Sequence, residues 1–247
     1  MRLNLPNRSK RPRKTGITSI HDVGITIAQQ KGILENYSSF LDIAKIGVGC
    51  AYILPNLIEK INLYQEYKVK VYFGGTLFEK AYSQNKIDEY LSYCDKNEID
   101  TIEVSTGTID IDLQERINLV TKISKTHNTY AEVGSKDTEK VMAPSSWIQE
   151  IEVLLNAGAK YVITEGRDSG TAGIFRPSGE MRTGLIDDIA KSCSSDQLIF
   201  EAPNSQAQMY FINLIGSNVN LGNINPFDLP LLEAQRCGLR SETFNLK

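Results

Sequence analysis

Three glutamates stand where a folded chain seldom puts charge. Glu103, Glu132 and Glu165 each fall inside or at the end of a short apolar run: DTIEVSTG (100–107), NTYAEVG (128–134) and KYVITEG (160–166). A carboxylate buried in such a run is costly unless something pairs with it. Three held close together raise one another's pKa and need a counter-charge. Hard oxygen donors with no histidine or cysteine among them suit Mg2+ rather than zinc. Lys45, Lys136 and Arg167 follow or end strand-like runs in the same way. Such cations either neutralise the carboxylates or bind an anionic substrate, and a lysine can also deliver a proton to a developing carbanion. Each glutamate alone could be a satisfied interior residue, but recurrence on three successive units favours a shared site.

The elements that must position these residues alternate along the chain. Strand-like runs are GITSIHD (16–22), FLDIAKIG (40–47), KVKVYFGG (68–75), DTIEVSTG, NTYAEVG, KYVITEG, QLIFEA (197–202) and NVNLGN (218–223). Each is short, apolar-rich and ends in polar residues or glycine. Amphipathic stretches lie between them, such as 54–67, 112–127 and 145–159. The last has Ser145 or Ser146 available as a cap and Gly158 near its end. Alternation implies parallel strands joined by crossovers, and eight units in about 250 residues predict a single (β/α)8 TIM barrel. An open nucleotide-binding sheet is the structural alternative, but no G-x-G-x-x-G follows the first strand and no Walker A sequence occurs. Residues 15–247 form the barrel domain on this reading, and 1–14 a short flexible N-terminal arm.

In a barrel of this kind the chemistry gathers where strands end. Those ends supply His21 and Asp22, Lys45, Glu103 and Ser105, Glu132 and Lys136, Glu165 and Arg167, Glu201, Asn220 and Asn223. Glycines in GSNVNLGNI (216–224) occupy the eighth unit, where backbone amides around Gly222 and Asn223 could close on a phosphate. His21 is left outside the catalytic set, and His127 is read as favouring a helix C-terminal dipole.

Composition excludes several functions. The 247 residues are 41% hydrophobic and 23% charged, and the formal charge of −3 offers no basic field for nucleic acid. The local exception, RSKRPRK (8–14), reads as a solvated arm. No apolar run reaches the roughly 20 residues a membrane span requires, and the N-terminus lacks a signal-peptide pattern. Cys50, Cys94, Cys193 and Cys237 are scattered without a Cys-x-x-Cys pair, as buried thiols of a cytoplasmic protein would be.

The stretch VYFGGTLFEKAYSQ (71–84) carries the reading further. Together with EVGSK (132–136), ITEGRDSG (163–170), IFEAPNSQAQ (199–208), NVNLGNI (218–224) and GLRSETF (238–244), it resembles the phosphosulfolactate synthase family. The likeness runs from RPRKTGIT (11–18) to the C-terminus, in order and at consistent spacing. It implies a (β/α)8 barrel, a carbon–sulfur bond-forming lyase that adds sulfite to phosphoenolpyruvate with Mg2+, giving (2R)-2-O-phospho-3-sulfolactate. It also implies a homo-oligomer such as a trimer, and kinship with plant heat-stress proteins. The family's proposed catalytic lysine falls on Lys136. The strand ends, and not the family pattern, give the other expected sites: Glu103, Glu132 and Glu165 for metal, and Lys45, Arg167, Glu201, Gly222 and Asn223 for substrate.

Departures from the family pattern occur at three loops. Asp22-Val23-Gly24 stands where relatives often read Asp-Lys-Gly, Gly47-Val48-Gly49 where they often read Trp-Gly-Thr, and Ser105-Thr106-Gly107 where they commonly show Ser-Asp-Gly. The alternatives are a non-catalytic stress-related barrel of the same family, and another phosphate-handling barrel lyase using Lys136 or Lys45 as a Schiff-base amine.

Overall fold

A run of four to six apolar residues cannot cover both of its own faces. It does so here by pairing with two neighbours and packing under a helix. The structure, a computed structural model, describes residues 1, 3–137, 142–167 and 169–246. Eight parallel strands close in chain order: β1 (Thr18–Asp22), β2 (Ile43–Ile46), β3 (Lys70–Phe73), β4 (Thr101–Val104), β5 (Asn128–Val133), β6 (Tyr161–Thr164), β7 (Leu198–Glu201) and β8 (Leu221–Ile224). β8 pairs with β1 to complete the (β/α)8 barrel. All eight strands fall within the runs expected from sequence, or within one residue of them.

Period-two alternation sends one set of side chains outward and the other inward. Outward residues such as Phe73, Ile102 and Phe200 are buried beneath the helices, where Phe200 stacks on Phe211 at 4.7 Å between ring centroids. The inward set forms a plug: Tyr72 and Tyr130 meet edge to face at 5.5 Å, and Tyr130 and Tyr161 at 5.4 Å. Above this plug, toward the C-terminal ends of the strands, the inward positions become charged. Register aligns His21 with Lys45 on β1 and β2, and Lys45 with Tyr72 on β3.

Local details differ from expectation. The helix expected over 145–159 runs from Pro144 to Asn156, with Ala143 at its N-cap, so neither serine caps it. Proline at the first helical position needs no N–H partner and sets the start. Gly158 follows at φ +114°, a conformation that suits glycine. His127 follows the Leu113–Ile123 helix, its N–H donating to Ile123 O at the helix C-terminus, and its ring sits 2.9 Å from Asp95 Oδ1. Cys50 and Cys94 are buried, whereas Cys193 and Cys237 are half-buried.

The basic stretch at 8–14 is solvated only in part: Lys10 and Lys14 are exposed, whereas its three arginines are half-buried and paired. Arg8 Nε lies 2.9 Å from Glu233 Oε1, and its Nη1 donates to Ser217 O and Asn218 Oδ1. Arg13 lies 3.1 Å from Asp42, and Arg11 donates to Ser38 O at 2.6 Å. These cations close the N-terminal end of the barrel. Beside them Arg236, fully buried, donates to Ser217 O, Val219 O and Ile17 O. Gly216, Ser217 and Asn218 precede β8 and lie at this end, far from the strand C-termini. Asn220 is structural too, its amide donating to Ser195 O, Asp196 O and Leu198 O.

Candidate active site

The charged inward positions line a cavity of about 220 Å³ at the C-terminal mouth of the barrel. Its walls carry His21, Lys45, Glu103, Glu132, Lys136, Glu165, Arg167, Glu201 and Asn223, with Gly47, Val48 and Gly74 to Thr76. The volume is below the range of about 300–1,000 Å³ that accommodates drug-sized ligands, and suits small polar molecules. Of the site residues expected from sequence, Gly222 alone is absent from this wall. It sits buried in β8, where an added Cβ would press on Ile199 at 3.0 Å.

Lys45 and Glu201 face each other across the mouth, Nζ 2.7 Å from Oε1. The other oxygen of Glu201 accepts the Gly166 N–H at 2.9 Å. Burial alone would lower the Lys45 pKa, but Glu201, Glu103 and Glu132 outweigh it and hold the ammonium above its usual range. Lys45 is therefore a fixed cation whose remaining N–H groups are available to a ligand.

Glu103 accepts the Gly75 N–H at 3.0 Å through Oε1. Close approach at this point demands glycine: a Cβ on Gly75 would lie 2.3 Å from Glu103 Oε1 and Ser105 Cβ. Burial pushes the Glu103 carboxyl up to about 7; Lys45 opposes the shift, while Glu132 and Glu201 reinforce it. Glu165 is raised further still, by burial first and then by Glu132 and Glu201. Its Oε1 accepts the Arg167 N–H at 2.5 Å, a turn that Arg167 makes at φ +44°.

Lys136 lies among the acids. Its Nζ is 3.5 Å from Glu165 Oε2, 3.7 Å from Glu79 Oε1 and 4.0 Å from Glu132 Oε2. Burial works to deprotonate it, but Glu132, Glu165, Glu79 and Glu103 prevail and keep it charged well above neutrality. Glu79 went unnoticed in the sequence because it belongs to the helix Gly75–Ser83, where an acidic residue normally faces solvent. It is only 2% exposed. The available signal was its place one turn below a Gly-Gly pair that converts a strand directly into a helix, which aims the helix's first turns at the barrel mouth.

Two of the departing loops prove structural. Asp22 is fully buried, 2.9 Å from Lys60 Nζ and 2.8 Å from the Tyr64 hydroxyl, and it accepts the Gly24 and Ile25 N–H groups. Val23 is 53% exposed and does not line the cavity. Thr106 donates to Ile109 O and so braces its own loop. Val48 differs from both: it lines the cavity mouth at φ +42°.

The oxygen donors here are of the hard type that Mg2+ takes, but their spacing does not form a ligand set among the described residues. Glu103 Oε2 and Asn223 Oδ1 are buried oxygens that accept no hydrogen bond among the described residues, and Glu165 Oε2 has only its 3.5 Å ion pair with Lys136; such acceptors are costly to leave unsatisfied. The carboxylates outnumber the cations around them, which a proton or a metal ion must redress. Among the described residues no three acidic or histidine side chains stand at ligating spacing, and the Lys136 ammonium takes up the space between them.

Residues 6–242 match the family described as (2R)-phospho-3-sulfolactate synthase (ComA). The chain belongs to that family. A phosphosulfolactate synthase of Bacillus subtilis (strain 168) is 41% identical over 247 residues, covering 99% of this chain and 98% of its own. The phosphosulfolactate synthase of Methanothermobacter thermautotrophicus is 36% identical, covering 96% and 95%. The Arabidopsis thaliana protein HEAT-STRESS-ASSOCIATED 32 is a more distant relative, 20% identical over 87% of this chain and 84% of its own. Phosphosulfolactate synthases are enzymes, and the cavity fits that class. Among the described residues no helix is long and apolar enough to cross a membrane.

Proposed function

We propose that this protein is a phosphosulfolactate synthase that adds sulfite to phosphoenolpyruvate. The observation that carries the reading is the Lys136 ammonium, held charged among Glu79, Glu132 and Glu165 in a cavity that also presents Lys45 and Arg167. Family membership supports the choice of substrates, and the arrangement of these side chains supports the roles given to them.

Sulfite sulphur attacks the methylene carbon of phosphoenolpyruvate. The C=C π pair moves to the adjacent carbon and delocalises into the carboxylate, and that carbon then takes up a proton. One C–S and one C–H bond form, one π bond is lost, and the phosphate ester stays in place. Two polyanions must meet, so the site has to supply positive charge at fixed positions. Lys45, oriented by Glu201, and Arg167, whose backbone is pinned by Glu165, bind the sulfite and phosphate groups. The first turn of the Gly75–Ser83 helix lines the same wall, and its partial positive charge favours an anion. Asn223 contacts the substrate through its side chain, in place of the Gly222 amide. Lys136 delivers the proton from one face, which fixes the configuration of the new stereocentre.

Mg2+ is part of this proposal. Glu103, Glu132 and Glu165, which do not stand at ligating spacing in this structure, would have to draw together to hold it, and its charge would stabilise by several kcal/mol the negative charge that builds on the substrate carboxylate. A Schiff-base role is disfavoured because Lys45 and Lys136 are both held protonated by carboxylates, and an ammonium is not a nucleophile.

Phosphorus NMR of the pure protein with phosphoenolpyruvate, sulfite and Mg2+ tests the reading. The expected result is conversion to a single new phosphomonoester that requires sulfite and releases no inorganic phosphate. An unchanged spectrum, or release of phosphate, refutes it.

A further inference from the structure

Glu79 is a buried carboxylate that the reaction outlined above leaves without a task. Its Oε2 accepts the backbone N–H groups of Thr108 and Ile109, at 2.7 and 2.9 Å. Its Oε1 lies 2.6 Å from the Ser105 hydroxyl and 3.7 Å from Lys136 Nζ. Ser105 in turn stands 2.9 Å from Glu132 Oε1. The loop that Glu79 grips also reaches Lys136 by its backbone, because the Lys136 N–H donates to Gly107 O at 2.9 Å. The contact is close enough that a Cβ on Gly107 would lie 2.9 Å from Lys136 Nζ. One side chain on a rigid helix therefore holds both the segment beneath Lys136 and the hydroxyl beside Glu132.

From this geometry we infer that Glu79 is a positioning residue for Lys136, acting through Ser105 and the 105–109 loop. The inference rests on the reading of Lys136 as proton donor. It explains why a helix interior carries a fully enclosed glutamate, and why Ser105, with one proton to give, stands between two carboxyl groups. A glutamine at 79 can reproduce the anchoring: its carbonyl accepts the two backbone N–H groups and its amide donates to Ser105 Oγ, which then donates to Glu132. An alanine reproduces none of it.

The test compares Glu79→Ala, Glu79→Gln and Ser105→Ala in phosphoenolpyruvate–sulfite turnover, with rates normalised to the folded fraction by circular dichroism. Displacement of a reacting group by about 1 Å costs on the order of 100-fold, so Glu79→Ala should lose about that much kcat. The KM for phosphoenolpyruvate should stay within about threefold, because ground-state binding is untouched. Glu79→Gln should retain kcat within about fivefold of the parent, and Ser105→Ala should lose roughly tenfold. A folded Glu79→Ala protein with near-parent kcat overturns the inference, as does a Glu79→Gln protein as impaired as the alanine variant. If Glu79→Ala fails to fold, parent-like turnover by Ser105→Ala overturns it.

Failure of the functional reading is separable. If the parent protein turns over nothing, amide hydrogen exchange decides on the ligand-free protein. Faster exchange at Lys136, Thr108 and Ile109 in Glu79→Ala but not Glu79→Gln upholds the anchoring. Unchanged exchange at Lys136 overturns it.

Discussion

Lys45 and Glu201 form a 2.7 Å ion pair across the barrel mouth, joining the second strand to the seventh, with both side chains almost wholly buried. The pair means that a cation expected to meet substrate is already half-neutralised and held in one place. Breaking a buried pair by removing one partner costs about 3–5 kcal/mol, since the survivor is left uncompensated. Lys45→Met should destabilise the protein by about that amount, leaving Glu201 beside Glu103 and Glu165. Lys45→Met with Glu201→Gln should recover part of the loss. Urea unfolding of the single and double variants checks this; strictly additive losses would show the pair to be uncoupled.

Glu103 makes stability depend on pH. Its carboxyl is pushed up to about 7 by burial, with Lys45 opposing and Glu132 and Glu201 reinforcing. The unfolded chain titrates near 4.3 at such a residue, so the native state binds the extra proton between these values. The sign follows: this contribution is fully present below the unfolded pKa and is lost as pH rises through about 7. Glu103→Gln, which cannot ionise, should gain stability over the parent by roughly 2 kcal/mol between pH 5 and pH 8, measured without metal. An equal difference at both pH values would count against the assignment.

Metal dependence should appear in a thermal shift as well as in turnover. Chelation should stop the reaction and Mg2+ restore it. Glu132→Gln should raise the Mg2+ concentration needed for half-maximal rate by at least about tenfold, a change expected when a ligand set is weakened. The Mg2+-induced rise in Tm should shrink in parallel. An unchanged titration would move the metal elsewhere.

The arm at the opposite end supplies a control. Arg8 pairs with Glu233 at 2.9 Å in a partly shielded setting. Arg8→Ala should cost about 2 kcal/mol, less than a fully buried pair. Since the arm lies at the N-terminal end of the strands, kcat should not change. A variant that keeps its Tm but loses turnover would contradict the separation of stability and chemistry along the barrel axis.

The eight strands were legible because each apolar run stops at a polar or glycine boundary, and the strand ends then pointed to the cavity wall. The residues that escaped did so for identifiable reasons. Glu79 is written in the same letter as a solvent-facing helical glutamate, and only the packing of the helix against the loop at 105–109 reveals its burial. Gly222 pairs with Glu201 and shares its inward face but has no side chain to present, whereas Asn223 reaches the cavity from a register irregularity between β8 and β1, at φ +54°, that no period-two reading anticipates. The partners of the arginine arm, Asp42 and Glu233, lie 29 and 225 residues away from Arg13 and Arg8, beyond any local pattern. Asn220 reads as a strand end in sequence, yet it precedes β8 and belongs to the closed floor of the barrel.

The most direct measurement sets the parent protein beside Lys136→Ala, each given phosphoenolpyruvate, sulfite and Mg2+ in deuterium oxide, with products followed by phosphorus and carbon NMR. The account predicts that the parent yields one stereoisomer carrying a single deuterium next to the carboxylate. It also predicts that Lys136→Ala, folded by circular dichroism, is slower by about 1,000-fold or more, within the span general-acid catalysis can supply. Turnover by Lys136→Ala within tenfold of the parent, with the same configuration, would contradict it.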